Sequence, residues 1–148
     1  MSLSGGDIFW LINPVVSSVK HHAHFVVAVT STKRVFYVFA TSDKSLVELS
    51  CLHVEGKTDP RHLVTMVEVA PEDCSVLSHV SYINTNLSFD KDEYSLTRLQ
   101  TFSHCKGAKA SDMLMKRLTV GLLSSRATKP ILRNLLLEGL PSPSAPSA

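Results

Sequence analysis

Three histidines and a lysine crowd into five positions, Lys20-His21-His22-Ala23-His24. On a β-strand successive side chains alternate between faces, so His22 and His24 project to one side, about two residue rises apart. That arrangement suits two chemistries: imidazoles so spaced bind transition metals, and a neutral and a protonated imidazole together move protons near pH 7. The metal reading needs a third and a fourth ligand. The familiar His-x-His barrel pattern adds a glutamate a few residues on, whereas Phe25-Val26-Val27-Ala28-Val29 holds no carboxylate. Nor does spacing single out a partner among His53, His62, His79, His104 and the cysteines Cys51, Cys74 and Cys105. The expectation is a site with no metal and no other cofactor.

A second polar group is Thr41-Ser42-Asp43, two hydroxyls and a carboxylate at a strand-to-loop boundary. Such a triplet holds a phosphate or simply caps a turn. Asp59-Pro60-Arg61 reads as a turn, and Gly5-Gly6 as a pliable approach to the first strand. There is no nucleophile elbow, phosphate-binding glycine loop, zinc-protease motif or dinucleotide fingerprint.

The elements that must position these groups are mostly short and β-rich. Asp7–Asn13 is apolar and aromatic and stops at Pro14; His22–Thr30 and Arg34–Ala40 follow as a hairpin across the polar link Thr30–Lys33. Leu46–His53 and Leu63–Ala70 are weaker strand candidates, separated by the polar segment Glu55–Arg61; Ser81–Asn84 and Ser95–Gln100 complete the set. Many short strands with frequent turns, and nothing helical between the first three, predict a curled antiparallel sheet or barrel rather than a βαβ fold.

The last third changes character. Ser111 is an N-cap before Asp112–Leu123, where Leu114, Leu118, Gly121 and Leu122 recur at helical spacing. A second helix is expected over Thr128–Glu138, with Thr128 as cap, Pro130 in its first turn and Gly139 as its stop. The organisation read from this pattern is an α+β domain over residues 1–140, followed by a disordered Pro/Ser tail, residues 141–148.

At 148 residues and 44% apolar content there is material for one packed core. No window reaches the roughly 18–20 apolar residues of a membrane span, and the opening MSLSGGD lacks the basic-then-apolar pattern of a secretory leader, so a cytoplasmic protein without membrane contact is expected. The three scattered cysteines form no C-x-x-C pair and read as free thiols. Net charge is +2, yet Arg98, Lys106, Lys109, Lys116, Arg117, Arg126, Lys129 and Arg133 load the C-terminal part with a flank that would suit a polyanion.

Several of these pieces, in order and spacing, resemble the MazF/PemK toxin endoribonucleases over about Gly6–Leu140. Gly6-Asp7-Ile8 opens the first strand as Gly-Asp-Ile/Val does there, and Ala40-Thr41-Ser42-Asp43 ends the third like that family's Thr-Ser pair. Leu77–Asn84 is similar to its late strand, and Lys106–Ser111 leads into the helices. The resemblance implies an SH3-like barrel, a homodimer, an antitoxin partner, and metal-independent cleavage of single-stranded RNA by the RNA's own 2′-hydroxyl. That reaction needs a base, an acid and charge on the phosphorane. In the family an Arg-Pro at the start of the second strand supplies the charge; here the matching position is His24-Phe25, so the two-pronged guanidinium is lost. Carried onto this chain, His22 and His24 transfer protons, Thr41 and Ser42 hold the phosphate, and Lys20, His21 and Asp43 contact the substrate. Two alternatives stand beside this one: a non-catalytic barrel of the same kind that binds RNA or a protein of a toxin–antitoxin-like system, and a metal enzyme built on His22 and His24.

Overall fold

Three strands open the chain, β1 (Asp7–Leu11), β2 (His22–Val29) and β3 (Arg34–Thr41). They form an antiparallel meander, with Phe9 opposite His24 and His24 opposite Phe39. The computed structural model describes residues 2–14, 19–55 and 62–140. The proposed tail, the Asp59-Pro60-Arg61 turn and most of the loop ahead of Lys20 lie outside them.

Beyond β3 the pattern departs from expectation. Leu46–His53 is not a strand but part of helix α1 (Lys44–Glu55). Asp43 caps it, its Oδ1 accepting from the Leu46 amide at 3.0 Å. Val47 and Cys51, four apart, are buried on one side of it while Leu46 and Leu49 are exposed on another, a helical rather than an alternating pattern. Leu63–Ala70 splits into helix α2 (His62–Thr65) and strand β4 (Met66–Val69). Strands β5 (Ser81–Asn84) and β6 (Phe89–Asp92) follow; the expected strand over Ser95–Gln100 is instead helix α3 (Glu93–Thr97), capped by the Asp92 side chain on Ser95 N. Strand β7 (Ser103–Lys109) went unread because its polar, glycine-bearing sequence SHCKGAK carries no apolar alternation.

All pairings are antiparallel. The order is β4-β5-β3-β2-β1-β7, with β6 beside the first half of β3 and β5 beside its end. Among the described residues β4 and β7 are not paired, so the ladder is open rather than closed into a barrel. Helices α4 (Asp112–Ser124) and α5 (Pro130–Glu138) complete an α+β unit with five helices among the described residues, against the two expected.

One face of the sheet carries Ile8, Phe25, Val38, Ala40, Val67, Val69 and Ile83, and α4 and α5 cover it with Leu114, Leu118, Leu122, Leu132 and Leu136. The other face carries Phe9, Leu11, Val26, Val35 and Tyr37, and α3 covers part of it through Leu96. Burial on both faces explains why β2 reads as a nearly unbroken apolar run.

The α4 cap is doubly held. Ser111 Oγ accepts from Leu114 N at 3.0 Å and donates to Asp73 Oδ1 at 2.9 Å, while Asp73 Oδ2 meets Arg117 at 2.8 Å. Ser111→Ala is expected to lower stability by about 1–2 kcal/mol, read as an earlier urea midpoint at unchanged slope. The α5 cap is Lys129, which makes no side-chain cap bond; Thr128, the expected cap, is buried and turns its hydroxyl back to the Leu122 carbonyl.

Candidate functional site

The β2–β3 register runs to the His24–Phe39 pair; alternation puts His22 on the face of His24 and Thr41 on the face of Phe39, and Thr41 pairs with Tyr82 and Tyr82 with Glu68. Opposed residues in an antiparallel sheet share a face. Thr41, Tyr82 and Glu68 therefore form one row across β3, β5 and β4, with His22 of β2 on the same face at its end. His22, Thr41 and Tyr82 are half-buried and Glu68 is exposed, and the row continues the aromatic face beyond the part that α3 covers.

His22 Nδ1 donates to the Ala40 carbonyl at 3.2 Å, and its ring meets Phe39 edge-on at 5.4 Å. Burial, first, holds its pKa below the ordinary 6.5 against that hydrogen bond, and the charge of Lys20 adds to the lowering. Lys20, His21, Ser42 and Asp43 are exposed. Thr41 Oγ1 accepts from Asp43 N at 3.3 Å, and the Asp43 carboxylate is engaged as the α1 cap, so this triplet also serves as the capped turn its composition allows.

His24 has a different fate. It is 0% exposed. Its ring stacks on Phe9 at 5.1 Å and lies against Tyr37 and Phe39. Nδ1 lies 2.8 Å from the His22 carbonyl, which can only accept, so Nδ1 carries the proton; Nε2, 3.4 Å from the Asn13 amide, is left as acceptor. Burial above all pushes its pKa down to about 4, with the His22 charge adding to the effect and the carbonyl bond opposing it. The strand alternation that puts His22 and His24 on one face holds, but the aromatic cover over β1 and β3 seals the second imidazole while leaving the first at the rim.

The sequence marks Tyr82 only as a strand residue. The signal that could have found it is the alternation Ser81-Tyr82-Ile83-Asn84, which turns Ile83 into the core and Tyr82 to the other face. Lys44 Nζ stands 5.8 Å above its ring. The basic C-terminal flank, by contrast, is largely engaged within the fold. Lys109 pairs with Asp7, Arg117 with Asp73 and Lys129 with Asp90, and Arg133 donates to the Leu123 and Ser125 carbonyls. As for a metal, no three His, Cys, Asp or Glu side chains among the described residues come together as a ligand set. No helix among them is long and apolar enough to cross a membrane.

No model of a known protein family matches the chain, and no curated protein matches it significantly.

Proposed function

We propose that the chain is a binding module for single-stranded RNA, a MazF/PemK-like domain of SH3-like type that holds the RNA backbone without cutting it. The observation that carries this is the contrast between the two imidazoles. His22 is at the rim beside Thr41, with Lys20 and Ser42 exposed nearby, whereas His24 is sealed from solvent. Hydroxyls, an imidazole and an exposed ammonium suffice to hydrogen-bond and partly neutralise a phosphodiester. Cleavage through the 2′-hydroxyl needs a second proton-transfer group in contact with the substrate, and burial withdraws His24 from that role. Homodimerisation and an antitoxin-like protein partner belong to the same proposal and rest on the resemblance; residence in the cytoplasm belongs to it too and rests on the sequence pattern.

The test is anisotropy of labelled single-stranded RNA in EDTA over a salt series, with the RNA then run on a gel. Binding that weakens with salt, with intact RNA at every pH from 5 to 8, is the expected result; binding indifferent to salt would overturn it. Lys20→Ala is expected to reduce the log–log salt slope by about 0.7, the value of one phosphate contact on a single strand.

One observation favours cleavage as a second reading. Burial holds the pKa of His22 below its ordinary value, the direction that favours the neutral imidazole able to accept a proton from a 2′-hydroxyl. Fragments ending in a cyclic phosphate, lost in His22→Ala, would establish it.

A further inference from the structure

The row that begins at His22 ends on an aromatic ring. Tyr82 pairs directly with Thr41, so their backbones stand one strand spacing, about 4.8 Å, apart and their side chains share a face. The ring is half-buried, and Lys44 adds positive charge above it at 5.8 Å. One strand further, Glu68 is exposed at the end of the row. Its carboxylate disfavours phosphate there, whereas Lys20 favours phosphate at the His22 end. The row is therefore polar: phosphate belongs at His22 and Thr41, and an uncharged group belongs at Tyr82.

From this we propose that Tyr82 is a base-stacking platform: a nucleotide whose phosphate lies at Thr41 and His22 lays its base on the Tyr82 ring. The assignment rests on the backbone-binding reading above and adds to it where the base goes. Every base presents a π-face, so the ring accepts any of them and confers affinity with little sequence preference. Lys44, which makes a cation–π contact with the same ring, is placed for the next phosphate along the strand. The competing account is that Tyr82 only steadies the β3–β5 pairing, since aromatic cross-strand pairs contribute to sheets.

Two probes separate these accounts: a short single-stranded RNA, and inorganic polyphosphate, which offers phosphates without bases. Tyr82→Ala is expected to weaken RNA binding roughly tenfold while changing polyphosphate binding less than about twofold. Tyr82→Phe should keep RNA affinity, and Tyr82→Leu, which preserves apolar bulk in the strand, should lose it with an unchanged melting temperature. Equal losses on both probes, or none on RNA, would overturn the stacking assignment and leave the backbone site standing. A wild-type protein that binds neither probe overturns the backbone site and Tyr82's role with it.

Discussion

Lowering the pH from 7 to 4 is expected to remove roughly 3 kcal/mol of stability through His24 alone. In the folded chain its pKa is about 4, and once unfolded it returns to the ordinary 6.5. Between those values the unfolded state takes up a proton that the folded state refuses, so acid favours unfolding. The stabilisation is complete above pH 6.5 and is lost as pH falls toward 4. His22, whose pKa is also lowered, contributes in the same direction, and the carboxylates Asp7, Asp73 and Asp90, which burial would raise but which hydrogen bonds and Lys or Arg partners hold low, add a loss at still lower pH. The share of His24 is isolated by comparison with His24→Phe, which keeps a ring against Phe9 and cannot titrate. Urea unfolding at half-unit pH steps should give the wild type the steeper decline between pH 6.5 and 4. Parallel curves for the two proteins would mean that His24 is not sealed as described.

Gly121→Ala is expected to destabilise the protein by roughly 2–3 kcal/mol, although the same change in an exposed helix interior stabilises by about 1 kcal/mol. A Cβ at Gly121 would stand 2.7 Å from Thr85 Oγ1, 2.9 Å from Thr85 Cγ2 and 2.9 Å from the Val64 carbonyl oxygen. None of these can yield cheaply. Thr85 is 1% exposed, and both its hydroxyl and its amide donate to the Thr65 carbonyl, at 2.7 and 2.9 Å; the Val64 oxygen is backbone of α2. Helix α4 would have to back away from α2 and from the turn after β5, loosening Leu118 and Leu122 in the core. For a chain of this size the melting temperature should fall by roughly 5–10 °C. Val120→Ala, one position earlier on the exposed side of α4, should move it little. A Gly121→Ala protein that melts at or above the wild-type temperature would contradict the close helix approach.

Strands are legible in the sequence where β-branched and aromatic residues dominate and illegible where they do not. β1, β2 and β3 are dense in β-branched and aromatic residues, and α4 carries explicit signals in its Ser111 cap and its leucine spacing. Lys44-Ser-Leu-Val-Glu-Leu-Ser-Cys looked strand-like because its apolar residues nearly alternate; the Asp43 cap and the burial of Val47 with Cys51 decided for a helix. β7 has almost no propensity of its own and exists because β1 presents an edge, with Phe9 set opposite His104 and Asp7 opposite Lys109. At the site, the identity of the polar groups was legible and their accessibility was not.

What the residue order alone determines is local. It sets which runs extend and which coil, where Ser111 starts a helix, and that His22 and His24 point the same way, because side-chain alternation and capping act over a few bonds. Only the folded arrangement decided that Phe9, Tyr37 and Phe39 close over His24 while His22 stays at the rim, and that Thr41 stands beside Tyr82. The same holds for Gly121, which the helical pattern treats as a weak residue and which Thr85 and Val64 make the one size that fits. Burial, pKa and steric room depend on atoms brought close from distant parts of the chain, and no local rule carries that information.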